Sequence, residues 1–120
     1  NTRLNFNVAV NYGGRWDIEQ AVGKASAAGD ASQFTQYLSF AGQPDPDLFI
    51  RTGGERRISN FMIWQLAYTE LFFTDTLWPD FGEDEFDEAM QWFAARERRF
   101  GKTGEQVRAA PVLTSSASAA

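Results

Sequence analysis

The chain has 120 residues, 43% of them hydrophobic and 15% aromatic, which suits one modest globular domain and is too apolar for a disordered segment. A formal net charge of −5 argues against nucleic acid as a partner, because that needs a basic field over much of one face; any anion site must therefore be local. With no Cys and no His, thiolate nucleophiles, disulfides, zinc sites built on those residues and imidazole acid-base catalysis are excluded, leaving carboxylate, hydroxyl and guanidinium chemistry.

In chain order, the alternation of Leu4, Phe6, Val8 and Val10 with Asn5 and Asn7 predicts a strand, ended by Asn11-Tyr12-Gly13-Gly14. From Arg15 to about Ala28, Ile18, Ala21, Val22, Ala25 and Ala28 recur at helical spacing, and Gly29-Asp30 supplies a stop. A second short helix is expected from about Ser32 to Leu38, before "AGQPDPD", whose prolines cannot continue it. Leu48-Phe49-Ile50 is a short run of buried-strand type that stops at Arg51. After Gly53-Gly54, "SNFMIWQLAYTE" is strongly apolar and expected to be helical, although periodicity alone does not settle it; Leu71-Phe72-Phe73 then predicts another strand. Phe86, Ala89, Met90, Phe93 and Phe100 keep helical spacing, with acidic residues in the first turns and Arg96, Arg98 and Arg99 in the last, matching the helix dipole at both ends. Beyond Gly101 the composition drops to small and polar residues, so 102–120 is expected to be a disordered tail after a domain over 1–101.

Strands alternating with helices predict an α/β layer fold with an open, mainly parallel sheet and flanking helices. About three strands are too few for a sheet covered on both faces, and the chain opens without Met almost directly into a strand, so further strands are expected N-terminal of Asn1. No apolar run has membrane-spanning length and no signal peptide is visible, which fits a cytoplasmic protein.

Two familiar motifs fail. "GKT" at 101–103 would need Gly where Arg96 stands and a strand before it, and no Gly-x-Gly-x-x-Gly spacing occurs. Asp45, Asp47, Glu70, Asp75 and Asp80 could offer oxygens to a hard cation, yet form no regular calcium loop. "IRTGGERRISN" (50–60) survives better. Arg51 would emerge from the carboxyl end of a strand, where open α/β sheets bind ligands. Glycines there would let backbone N–H groups approach an anion, guanidinium forks match phosphate oxygens, and Ser59 adds a hydroxyl near an expected helix start. A tight turn with a solvated loop, Glu55 pairing locally and Ser59 or Asn60 capping the next helix, explains the same residues equally well.

The wording of longer segments goes further. "NYGGRWDI" (11–18), "PDPDLFIRTGGERRISNFMIWQLAYTELFF" (44–73), "LWPDF" (77–81) and "RERRFG" (96–101), in that order, closely resemble the C-terminal half of the cis-prenyltransferase family, the bacterial undecaprenyl diphosphate synthases in particular. The resemblance is weakest over about 20–43 and does not visibly include the tail. It implies an undecaprenyl diphosphate synthase-like fold with only its C-terminal part present. The implied enzyme is a homodimer that condenses isopentenyl diphosphate with an allylic diphosphate such as farnesyl diphosphate, using Mg²⁺. Its cis-polyprenyl product is a membrane lipid that carries cell-wall sugars for peptidoglycan, with peripheral membrane association a corollary.

Carried over by motif, Arg51, Arg57 and Ser59 would hold the diphosphate of isopentenyl diphosphate, with Arg56 beside them where relatives often carry His. Glu70 would match the carboxylate that works with Mg²⁺, and Arg99 and Gly101 the Arg-x-Gly motif that reaches the partner subunit's site. Asn11 and Arg15 would support the neighbouring loop. Without the family, Glu70 is an ordinary strand-edge carboxylate and Arg99 a helix-end charge. Trp64, Tyr68, Phe72, Phe73 and Trp78 are expected in core and dimer interface, with no catalytic role. No residue of this chain is assigned a catalytic role, because the family's allylic-diphosphate motif, proton-accepting polar residues and tunnel helices have no counterpart here. The chain by itself is therefore expected to turn over nothing. Two other readings stand beside this one: a non-catalytic partner subunit, and a general phosphate-binding module resting on the arginine cluster alone.

Overall fold

A computed structural model describes residues 3–96. Helix α1 spans Gly14–Ala27 and buries Asp17, Ala21 and Ala25 at a spacing of four, so that one narrow stripe of small side chains allows close approach. Its end follows from Gly29, whose φ of 108° is the left-handed conformation glycine adopts freely. Gly29 N–H donates to the Ser26 carbonyl at 3.0 Å and Asp30 N–H to Ala25 at 3.1 Å, the paired bonds of a Schellman stop. Asp30 then caps a 3-10 helix at Ala31–Tyr37 by accepting from Ser32 N–H and Ser32 Oγ. The side-chain and backbone bonds from Ser32 hold the Asp30 carboxyl below its ordinary range.

Strands β1 (Leu48–Arg51) and β2 (Glu70–Phe73) pair in parallel, Leu48 opposite Glu70 and Arg51 opposite Phe73. Side chains alternate across this small sheet. On one face Phe49 meets Phe73 and Phe61, and Phe61 meets Tyr12, which in turn meets Phe40. On the other face Phe72 packs edge-on against Trp92 of helix α2 (Glu83–Ala94), whose Ala89 is fully buried. A short 3-10 turn, Trp78–Asp80, leads into α2, whose first turn carries Glu83, Asp84 and Glu85.

Three expectations change. Residues 4–10 form no paired strand: Leu4, Phe6, Val8 and Val10 are all exposed, Phe6 by 84%. Alternation supplies one apolar face, but a strand exists only with a ladder partner, and none lies against this segment among the described residues. The segment from Ser59 to Thr69 is a series of turns, because Ser59, Asn60 and Met62 take left-handed φ values of 49°, 66° and 46°, which interrupt an α-helical ladder. Finally, α2 stops at Ala94, with Ala95 as its C-cap, so Arg96 lies beyond it and its last turn carries no basic residue. Phe100, Arg98, Arg99, Gly101 and the expected tail at 102–120 lie outside the described residues.

Asp17 is the polar centre of the α1 layer. Only 1% exposed, its Oδ1 accepts from Ser39 N–H at 2.9 Å, Ser39 Oγ at 2.8 Å and Gln20 Nε2 at 3.0 Å, and its Oδ2 from the Tyr12 hydroxyl at 3.4 Å. A buried carboxylate is tolerated only with such a donor set. Burial, and then the adjacent Asp17 charge, push the Tyr12 hydroxyl above its ordinary pKa.

Candidate functional site

Arg51 closes β1, and its Nη1 donates to the Arg57 carbonyl at 2.6 Å and to Ser59 Oγ at 2.8 Å. Three of the residues singled out from sequence are thus gathered at the carboxyl end of one strand. Ser59 Oγ accepts from Arg51, so its own hydrogen is free to donate to an anion. Arg57 Nη2 pairs with Glu55 Oε2 at 2.7 Å, and Arg56 Nη2 with Asp75 Oδ1 at 3.4 Å. Both pairs are largely solvent-exposed, the Arg57 side chain by 67%. Exposed pairs of this kind are worth about 0–1 kcal/mol, so a more highly charged anion displaces them at little cost. Three guanidiniums against two carboxylates leave the cluster net cationic within an acidic chain.

The glycines serve a different purpose from the one expected. Gly53 and Gly54 both have left-handed φ, 89° and 87°, but their N–H groups donate to the Thr76 and Thr74 carbonyls, each at 2.9 Å. They fold the loop back onto the segment after β2 and offer no free amide to an anion. Nor does Ser59 stand at a helix start, since turns follow it.

Asn11 and Arg15 flank the start of α1. Asn11 takes φ 54°, and Arg15 reaches the cluster only indirectly, its backbone N–H donating to Asn60 Oδ1 at 2.9 Å. Glu70 stands apart. It is the first residue of β2, at the opposite end of the sheet from Arg51, and alternation puts it on the opposite face, with Phe72 and α2. Three residues along a strand separate those ends by about 10 Å. The Glu70 side chain, 18% exposed, accepts from Arg96 Nε at 3.3 Å, and the Arg96 guanidinium also lies over the Trp92 ring. Among the described residues no three His, Cys, Asp or Glu side chains converge in a way that could hold a metal. Among the described residues Glu70 belongs to no such group, and it lies at the other end and on the other face of the sheet from the arginine cluster.

The Prenyltransf family model, undecaprenyl diphosphate synthase, matches residues 1–101. The chain belongs to the undecaprenyl diphosphate synthase family. It is 59% identical over 114 residues to an isoprenyl transferase of Nitrosomonas europaea, covering 89% of this chain and 43% of that protein. Against a (2E,6E)-farnesyl-diphosphate-specific ditrans,polycis-undecaprenyl-diphosphate synthase of Vibrio vulnificus it is 53% identical over 119 residues, covering 91% and 47%. Among solved structures, lavandulyl diphosphate synthase from Lavandula x intermedia, in complex with dimethylallyl diphosphate, superposes with a TM-score of 0.71 at 42% identity, over 78% of this chain and 45% of that one. The chain therefore spans less than half the length of these relatives, and its α/β fold is that of the family.

Sequence reasoning missed Asp17, gave Asn60 only a cap on the following helix, and gave Asp75 only a cation-ligand or solvated role in place of its pairing with Arg56. Asn60 and Asp17 act through partners 22 to 46 positions away in the chain. The sequence reads Gly13-Gly14 only as the end of a strand-like run, and nothing in it points to Asn60 as a neighbour of α1.

Proposed function

We propose that the full-length protein is a cis-prenyltransferase that condenses isopentenyl diphosphate with an allylic diphosphate, farnesyl diphosphate or longer, to build undecaprenyl diphosphate for the cell-wall carrier lipid. Within it, residues 51–59 form the clamp for the diphosphate of isopentenyl diphosphate. The observation that carries this reading is the bonding of Arg51 to both Ser59 Oγ and the Arg57 carbonyl at a strand's carboxyl end, within a segment of a prenyltransferase family. Permanently charged guanidiniums and a free hydroxyl hydrogen suit a diphosphate, and holding one substrate fixed supplies much of the rate advantage of a two-substrate condensation. Arg56 lines the same surface, and Asn11 and Arg15 support it from the start of α1.

The remaining assignments follow from the family. Arg99 and Gly101 reach across a homodimer, to which the exposed Leu77 and Trp78 side chains lend apolar surface. The enzyme works in the cytoplasm at the membrane surface where its lipid product goes; no helix among the described residues is long and apolar enough to cross a membrane. Glu70, here paired with Arg96, would be the carboxylate of this segment that holds Mg²⁺, and the ion would offset negative charge developing on a departing diphosphate. The present chain alone supplies a half-site and makes no product.

Arg51→Ala and Arg57→Ala in a full-length enzyme carrying this segment should each raise the KM for isopentenyl diphosphate about 10- to 100-fold, the loss of charge-assisted hydrogen bonds, with a small effect on the allylic KM. An unchanged KM with activity intact would refute the clamp. Incubating the present chain with radiolabelled isopentenyl diphosphate, farnesyl diphosphate and Mg²⁺ should give no polyprenyl product; robust product would show that the half-site claim is wrong.

A further inference from the structure

The loop that presents Ser59 and Arg57 is held from both sides. In front, Arg51 Nη1 bonds the Arg57 carbonyl and Ser59 Oγ. Behind, the next residue, Asn60, engages the N-terminus of α1 twice. Its carbonyl accepts from Gly14 N–H at 2.6 Å and its Oδ1 from Arg15 N–H at 2.9 Å. Helix α1 lacks a side-chain cap of its own, because its N-cap is Gly13; Asn60 satisfies two of its first free amides from 45 and 46 residues away.

The socket is built for this insertion. A Cβ on Gly14 would lie 3.0 Å from the Asn60 carbonyl oxygen, and one on Gly13 would lie 3.0 Å from Asn60 Nδ2. The loop also needs an anchor. Ser59 and Met62 hold left-handed φ values that are disfavoured for their side chains, whereas Asn, between them at 66°, belongs to the residue types that tolerate that region. Released from α1, the loop would relax toward right-handed backbone and carry Ser59 Oγ and the Arg57 carbonyl away from Arg51.

We propose that Asn60 is a positioning residue for the clamp: by inserting its carbonyl and carboxamide into the Gly13-Gly14 end of α1, it fixes Ser59 and Arg57 against Arg51. The inference rests on the diphosphate reading for its functional consequence. It does not require Asn60 to touch the substrate.

The test combines amide NMR of a full-length enzyme carrying this segment with titration of isopentenyl diphosphate. In Asn60→Ala, exchange of the Gly14 and Arg15 amides should accelerate, the Arg57 and Ser59 amide signals should shift, and affinity should fall about 10-fold, equivalent to about 1.4 kcal/mol. Asn60→Gly keeps the left-handed turn and the carbonyl bond while losing the carboxamide, so it should lose about 3-fold; it also supplies the readout if the Ala variant does not fold. Unmoved Arg57 and Ser59 signals, or unchanged affinity in the Gly variant while Arg51→Ala weakens binding, would overturn the positioning role alone. If the unsubstituted full-length enzyme does not bind, or its Arg51→Ala variant binds as well as it does, the diphosphate reading fails and this inference falls with it.

Discussion

Replacing Gly14 by Ala should destabilise the protein, against the rule that Ala favours helices. A Cβ at Gly14 would stand 2.9 Å from Ile63 Cγ1, 3.0 Å from the Asn60 carbonyl oxygen and 3.0 Å from Ile63 N. Two of those atoms are backbone, so α1 and the 60–63 loop must separate. Overpacking of this kind costs about 1–3 kcal/mol. Separation also strains the two bonds from Gly14 and Arg15 to Asn60, worth about 1 kcal/mol each. Ala returns about 1 kcal/mol of helix propensity. The balance is a loss of about 2–4 kcal/mol, or roughly 10–30 °C in Tm for a domain of this size.

Gly23 makes the matched control. It lies in the same helix, and a Cβ there meets nothing within 4 Å, so Gly23→Ala should stabilise by about 0.5–1 kcal/mol. Thermal unfolding followed by circular dichroism separates the two, provided each variant unfolds reversibly. If Gly14→Ala melts at or above the unsubstituted chain, the close approach of Asn60 to α1 is wrong, and with it the physical reason for the Gly-Gly pair.

Three further outcomes are expected. Asp17→Ala leaves the Ser39 N–H, Ser39 hydroxyl and Gln20 amide without their shared acceptor and should cost about 2–4 kcal/mol in urea unfolding, whereas Asp17→Asn, which keeps Oδ1, should lose less than half of that; equal losses would show that charge, not the acceptor, matters. Because the Tyr12 hydroxyl titrates above its ordinary value of 10.0 when folded, its contribution is complete below about pH 10 and is lost as pH rises through the folded value; Tyr12→Phe should flatten the fall in stability above about pH 10, and parallel curves would refute it. Gly53→Ala, at φ 89°, should cost about 1–2 kcal/mol although a Cβ there would meet open space, and a neutral result would mean the turn relaxes freely.

The sequence alone determined much of the local structure. Spacing of Ala21 and Ala25 and the Gly29 stop placed α1, the apolar runs at 48–50 and 71–73 placed both strands to within a residue, and the acidic start of α2 placed the last helix, because these depend on side-chain period and end chemistry within a few residues. The motif wording also led to the family and to the Arg51, Arg57 and Ser59 grouping. Tertiary structure decided what depends on distant partners. Residues 4–10 have strand alternation but no ladder; the 59–69 segment has helical apolarity but is bent by left-handed residues docked on α1. The sheet's parallel register and alternation put Glu70 on the other face and end from Arg51, though both belong to one continuous motif. Gly53 and Gly54 proved to be turn formers whose amides are already used. Period and composition encode what a residue prefers, whereas the partner that satisfies an amide, a carboxylate or a strand edge is chosen only when the chain brings positions 14 and 60, or 17 and 39, together.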